Sequence, residues 1–364
     1  MLKEKERIAV LAITKNGITI SRIIKKNIPE TVICIPEKLR TDADTDNDLA
    51  SITWFKDPVP KIIVDLFKSS DALICIFSLG AVVRLISNLL VDKRSDPAVL
   101  VIDDKATFVI SALSGHLGGA NALTRQIASF LNSTPVITTA ADVNKTIFVD
   151  LLGNEFGWKI ENFENVTKTC ALMVNEEKMA IFQDSGERNW WDINNLPKNV
   201  TIVKSLEETR ENSFKGNLII SDKIITDTNI LLKSVIYRPK TLVVGVGVHW
   251  DTTKKEILEG ITSVLQKNML SFSCIKALTS LKKKIDVKGL TEFSQENNIP
   301  LYLYDKEELE KIDVPNPSEM VKKYEGVSSV SEASSLLYSR GSLIVSKQKF
   351  PPNLTIAISK VSYE

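Results

Sequence analysis

The feature that most constrains this chain is an alternation along its opening part. Strand-length apolar runs alternate with segments of helical spacing: "RIAVLAI" from Arg7, "GITISRIIKKNI" from Gly17, "TVICI" from Thr31, "VPKIIVDLFKSS" from Val59 and "DALICIFS" from Asp71. The apolar runs are continuous rather than alternating, so both faces of each strand need cover. The amphipathic segments between them supply it. The pattern predicts a parallel sheet with helices on both faces. It continues through a glycine turn at Gly80, the helix "AVVRLISNLL", the strands "AVLVID" and "FVISA" around a turn at Asp103 to Lys105, a helix from Asn121 to Leu131 and the strand "PVITT".

From about Val143 the texture changes. "TIFVDLLGNEFGW" reads as a helix ending near Gly153, and the stretch to Arg238 is polar, with short strands "KMAIF", "TIVK" and "NLIIS". At Thr241 a strong signal returns. "TLVVGVGV" is a buried strand ending in glycines, and "TKKEILEGITSVLQKN" is an amphipathic helix with Ile257, Ile261, Val264 and Leu265 on one face. A helix around "LTEFSQEN", the strand "PLYLY", a helix after "NPSE", a helix "SVSEASSLLYS" and the strands "SLIVSKQKF" and "LTIAISK" follow. The expected fold class is α/β: two open three-layer αβα domains, residues 1–142 and 239–364, with a smaller α/β domain or spacer over 143–238.

Composition excludes several classes. With 364 residues, two or three domains are expected. A net charge of +1 gives no electrostatic case for binding nucleic acid or an anionic membrane. The longest apolar stretch, Ala72 to Val83, is too short to span a bilayer, and Arg84 follows at once. The start of the chain lacks the features of a signal peptide. The four cysteines form no CxxC pair, so neither a zinc site nor a disulfide framework is expected, and a reducing cytoplasm fits.

Two glycine turns carry the candidate chemistry, and each holds one of the chain's two histidines. "SGHLGG", from Ser114, precedes a helix start, where free N–H groups and the helix dipole favour a carboxylate or phosphate. The same glycines would also serve a tight strand-to-helix turn. His116 inside it is a candidate base, or a structural histidine bonded to a carbonyl. "GVGVHW", Gly245 to Trp250, ends a strand, where ligands sit in open sheets. It lacks the third glycine of a dinucleotide fingerprint. His249 there is a second candidate, or an exposed turn residue. Asp103 fits acid–base chemistry and equally a turn between strands. Arg84 fits pairing with a carboxylate and equally a solvated helix face. Asn316 or Ser318 caps the helix expected after "VPNPSE".

"GAVVRLI", "DPAVLVID", "FVISALSGHLGGANALTRQIA" and "PVITTAAD" occur in an order and spacing that resemble the cobalt-precorrin-5A hydrolases (CbiG) of anaerobic cobalamin biosynthesis. "GVGV", "VPNPSE" and "GVSSVSEASSLL", with Lys347 downstream, resemble that family's third domain, which also occurs as the separate protein CobE. The resemblance implies opening of a δ-lactone on a cobalt-containing tetrapyrrole, with release of acetaldehyde and formation of cobalt-precorrin-5B. It implies no separate cofactor and no resident metal, because cobalt arrives inside the substrate. It allows transient contact with neighbouring pathway enzymes.

On this resemblance, His116, Asp103 and His249 are the catalytic candidates. Arg84, Gly115, Gly118, Gly119, Asn121, Thr138, Thr139, Gly245, Gly247, Lys284, Asn316 and Ser318 are the substrate-binding candidates. The N–H groups of Gly118 and Gly119 are candidate donors to the tetrahedral oxyanion. The sequence departs from the family pattern at His249, Trp250 and Asp251, where relatives continue with basic residues. The alternative function is a non-catalytic carrier of tetrapyrrole intermediates in the same pathway.

Overall fold

The structure is a computed structural model that describes residues 7–41, 52–92, 95–116, 118–144, 146–192, 195–283, 286–318 and 327–363. It is mixed α/β, with three open sheets interleaved with helices. The chain divides into two compact units, Met1–Thr146 and Ile147–Glu364. Among the described residues no helix is long and apolar enough to cross a membrane.

The first unit is built on β1 (Ile8–Ala12), β2 (Val32–Pro36), β3 (Ile52–Phe55), β4 (Ala72–Ile76), β5 (Ala98–Ile102), β6 (Phe108–Leu113) and β7 (Thr134–Val136), in the order β3-β2-β1-β4-β5-β6-β7. The continuous apolar runs are buried on both faces, as their composition requires. Ile8, Val10 and Ala12 pack under the helices Lys15–Asn27 and Ala120–Leu131, while Ala9 and Leu11 pack under Val59–Ser69 and Leu79–Ile86. β1 to β5 are parallel, but β6 runs antiparallel to β5, and β7 follows β6. This reversal positions the site. It returns the ends of β6 and β7 to the edge at which the parallel strands begin, so Ser114 donates to the carbonyl of Asp96 just before β5, at 3.0 Å. The Asp103 turn lies at the other end of the β5–β6 pair.

The second unit holds two sheets. The first has β8 (Lys159–Ile160), β9 (Met179–Gln183), β10 (Val200–Val203), β11 (Gly216–Ile220) and β12 (Ser234–Arg238), in the order β10-β9-β11-β12-β8. The stretch "TIFVDLLG" is not a helix. Ile147, Val149 and Leu152 point into the core from successive turns. Gly153 takes φ +74°, and a Cβ there would come within 2.0 Å of the Trp158 ring, so the backbone turns where a helix would continue.

The other sheet has β13 (Leu242–Val248), β14 (Ile275–Leu281), β15 (Leu301–Tyr304), β16 (Ser342–Phe350) and β17 (Leu354–Lys360), in the order β15-β14-β13-β17-β16. Leu242, Val244 and Val246 pack under the helix Lys254–Lys267 through Ile257, Ile261, Val264 and Leu265. The opposite face carries the helix Val330–Ser339, whose sheet side is built of serine and alanine. The helix expected directly after "NPSE" falls in residues 319–326, outside the described residues.

A buried polar seam ties these two sheets together. Arg238, 1 % exposed, makes a bidentate pair with Glu161 at 2.5 and 2.9 Å and donates to the carbonyls of Ser221 and Lys223. Asp222, also 1 % exposed, accepts from Thr241 at 2.9 Å and pairs with Lys360 at 2.7 Å. Arg238 and Asp222 are thus paired burials, for which removal of one partner is the costly event.

Candidate active site

In the first unit, four elements meet at the edge created by the β6 reversal. His116 Nε2 lies 2.7 Å from Asp142 Oδ2. Asn121, in the first turn of the helix Ala120–Leu131, donates from Nδ2 to the same carboxylate oxygen at 2.7 Å and to Thr139 Oγ1 at 3.0 Å. Its Oδ1 accepts from Ser111 at 2.7 Å. Arg125, one helical turn on, pairs with Asp142 Oδ1. The Asp142 side chain is only 6 % exposed and that of His116 15 %, so their contact is shielded from bulk water, while Arg125 stays half exposed.

Burial alone would raise the Asp142 carboxyl, but the hydrogen bonds and charges of Arg125 and His116 outweigh it and hold it below the ordinary aspartate value. An ionised carboxylate only accepts hydrogen bonds. The proton between them is therefore assigned to His116 Nε2, which leaves Nδ1 as the ring atom that takes up or gives up a proton. A histidine oriented by a buried carboxylate is the arrangement that activates water or a hydroxyl.

The turn's glycines serve two purposes. A Cβ on Gly115 would come 2.7 Å from Asn121 Oδ1, and one on Gly118 would come 2.4 Å from the Ser114 Cβ. Both clear space for the turn itself. Gly119 takes φ +81° as the residue capping the helix. Its N–H donates to the His116 carbonyl at 3.0 Å, and the N–H groups of Ala120 and Asn121 donate to Ser114 and Gly115. These donors close the turn, which removes Gly119 as an oxyanion donor.

Other expected residues lie elsewhere. Asp103 sits at the opposite sheet edge from His116, and its carboxylate accepts the N–H groups of Lys105 and Phe108 at 3.0 and 2.6 Å. It is a turn residue, because its oxygens are spent closing the β5–β6 connection. Arg84 is on the helix that covers the other face of the sheet, exposed, with its guanidinium on the Gly80 carbonyl at 2.9 Å. Thr138 is exposed beside the network. Asp142 and Arg125 were not among the expected site residues. The signal available was "TTAAD" following a strand that ends beside the histidine turn.

In the second unit, a cavity of about 580 Å³ opens at the carboxyl end of β13. Gly247, His249 and Ser318 line it, together with Lys283, Lys347 and Lys349. His249 is half exposed, with Nδ1 at 2.6 Å from Asp251. Below the cavity, Glu332 is fully buried and accepts from the Asn316 backbone at 3.2 Å, the Asn316 side chain at 2.9 Å and the Lys347 backbone at 2.9 Å. Asn316 thereby pins its proline-rich loop to the helix Val330–Ser339; the helix it is expected to cap lies outside the described residues. Gly245 does not face the cavity. A Cβ there would lie 1.8 Å from the Ser331 carbonyl, so Gly245 lets the helix Val330–Ser339 close on the sheet. Lys284 lies outside the described residues.

Buried thiols offer no alternative nucleophile at Cys34, Cys75 or Cys274. Burial pushes Cys34 up to about 11 and Cys75 and Cys274 up to about 12.

Three family models cover most of the chain: Cobalamin synthesis G N-terminal over residues 61–142, Cobalamin biosynthesis central region over 147–239, and Cobalamin synthesis G C-terminus over 242–359. The chain is 40 % identical to the cobalt-precorrin-5A hydrolase of Priestia megaterium, over 98 % of this chain and 95 % of that protein. It is 28 % identical to the cobalt-precorrin-5A hydrolase of Salmonella typhimurium, over 93 % of each. A crystal structure of a cobalamin biosynthesis protein G homologue from Sulfolobus solfataricus aligns with 98 % of this chain and 97 % of that one, at 25 % identity and a TM-score of 0.37. The chain belongs to the cobalamin synthesis G family, the family of the cobalt-precorrin-5A hydrolases.

Proposed function

We propose that this chain hydrolyses the δ-lactone of cobalt-precorrin-5A, giving cobalt-precorrin-5B and acetaldehyde, in anaerobic cobalamin biosynthesis. The observation that carries the reading is the His116–Asp142 pair, shielded and oriented by Asn121 and Arg125. His116 takes a proton from water as the oxygen adds to the lactone carbonyl. Asp142 stabilises the imidazolium that forms and holds the ring in one orientation. The ring C–O bond then breaks as His116 gives its proton to the departing oxygen, leaving a hydroxyl on the two-carbon fragment and, on the acetate arm, a carboxylic acid that ionises to the carboxylate. The fragment departs as acetaldehyde when that hydroxyl loses its proton and the bond to the macrocycle breaks. The electron pair stays on the macrocycle.

The cobalt belongs to the substrate in this reading, and the residues named here act on the lactone and on water. The test is anaerobic incubation with cobalt-precorrin-5A, following acetaldehyde with a coupled dehydrogenase. Acetaldehyde stoichiometric with the tetrapyrrole is expected. Tight binding with no acetaldehyde would contradict the hydrolase and favour a carrier.

A further inference from the structure

The cavity at the carboxyl end of β13 has three properties that the His116 network does not use. Its charged lining residues are the lysines Lys283, Lys347 and Lys349, with no carboxylate among the described lining residues. The nearby acid, Glu332, has both oxygens engaged by the Asn316 backbone and side chain and by the Lys347 backbone, so it organises the wall while offsetting only part of its positive charge. Ser329, the residue that starts the helix Val330–Ser339, lines the cavity while only 1 % exposed. Its Oγ has no hydrogen-bond partner among the described residues and makes no cap to its own helix.

A buried hydroxyl without a partner costs stability unless something fills its demand. At a helix start, in a cavity lined by lysines, the group that fills it is an anion. Burial pushes the Lys347 ammonium below the ordinary lysine value; Glu332 opposes this, and the charge of Lys349 adds a smaller repulsion. A bound anion would relieve that repulsion. Beside the polar His249, Ser318, Asn353 and Thr355, the lining has an apolar part that includes Phe350, Pro351, Pro352 and Leu354, which suits the flank of a macrocycle rather than a small free ion. The volume falls in the range of ligand pockets, roughly 300–1,000 Å³.

We propose that this cavity is a carboxylate-binding site that takes acetate and propionate side arms of a tetrapyrrole, with Lys347, Lys349 and Ser329 as the anion contacts. The proposal rests on the reading of the chain as an enzyme of tetrapyrrole polycarboxylates. It adds the residues that hold such a ligand in the second unit.

The test is a fluorescence titration of the full chain with uroporphyrin, a tetrapyrrole that carries acetate and propionate arms and no lactone. Wild type should bind it, more weakly as salt rises. Lys347→Gln/Lys349→Gln should raise Kd at least about tenfold, the scale of losing charge-assisted hydrogen bonds. Lys178→Gln/Lys267→Gln, which removes the same charge at two exposed positions, should leave Kd unchanged. Ser329→Ala should weaken binding severalfold without lowering the melting temperature, because its hydroxyl holds nothing in the fold. This variant keeps the test decisive if the Lys347 change disturbs folding through its bond to the Asn316 carbonyl. Equal loss in the charge-matched control, or binding of inorganic phosphate without binding of uroporphyrin, would overturn the assignment. The two readings fail separately. Uroporphyrin binding without acetaldehyde release removes the hydrolase and keeps the site. Acetaldehyde release with wild-type uroporphyrin binding by the lysine and serine variants removes the site and keeps the hydrolase.

Discussion

The turns at residues 114–121 and 245–251 resemble each other on the page: glycines at a strand end, a histidine, and an aspartate within reach. Their surroundings differ. His116 is paired with an aspartate that is itself held by Asn121 and Arg125, and the side chains of His116 and Asp142 are 15 % and 6 % exposed. His249 pairs with Asp251 two residues away, and the two side chains are 51 % and 44 % exposed. The first pair is assembled from distant parts of the chain and shielded from water, which makes its electrostatics strong. The second is a local, solvated contact worth little by itself. A glycine–histidine turn therefore becomes a chemical site through the carboxylate that the fold brings to it, not through the glycines.

The sharpest way to break this contrast is Asp142→Asn. The amide offers His116 a donor or a weaker acceptor and unfixes the ring's proton. kcat for acetaldehyde release should fall on the order of 10²–10⁴-fold. Substrate affinity should change much less, which a parallel binding titration checks. The matching change at the other turn, Asp251→Asn, should leave kcat within about fivefold of wild type, the scale of an exposed ion pair. Comparable losses from both would erase the distinction.

Next in size is Gly245→Ala. The added methyl would collide with the Ser331 carbonyl in a tightly closed helix–sheet contact. Overpacking of this kind costs about 1–3 kcal/mol. Denaturant melts of the full chain should show that loss, and an unchanged midpoint would mean that the glycine is kept for a ligand instead.

A smaller effect concerns acid stability. Folding lowers the Asp142 carboxyl below its unfolded value of about 3.9. Its stabilising contribution is therefore complete above that pH and is lost as pH falls through the lower folded value. Asp142→Asn lacks this dependence, so the stability gap between wild type and variant should shrink from about pH 4 downward. A gap that widens on acidification would show that the carboxyl is raised, not lowered.

These contrasts also explain what was readable in advance. β1, β4 and β5 were legible because they are uniformly apolar and flanked by amphipathic helices. The His116 turn was legible because a histidine among small residues at a helix start is an uncommon local pattern. Its partner was not. Asp142 lies 26 positions away, and only the reversal of β6 and β7 brings it alongside. Asp103 attracted attention as an acid at a strand end, yet spacing cannot tell a turn-closing carboxylate from a catalytic one. Asn316 has a partner that spacing could not show, because Glu332 is a buried acid on a later helix. "TIFVDLLG" has helical spacing, but the left-handed Gly153 against Trp158 is a tertiary fact.

The smallest expected effect among the activity variants is His249→Ala. Its ring touches Asp251 and Trp250 at the cavity rim, so kcat should stay within about threefold of wild type, in keeping with a solvated contact. A much larger loss of turnover would place chemistry at the second turn.

The central claim is that His116 activates the water that opens the lactone. The most direct test is anaerobic acetaldehyde release by His116→Ala at saturating cobalt-precorrin-5A, with circular dichroism and melting curves establishing its fold. A fall in kcat of roughly 10²–10⁴-fold with retained substrate binding is the predicted result. Wild-type turnover by the correctly folded variant would contradict it.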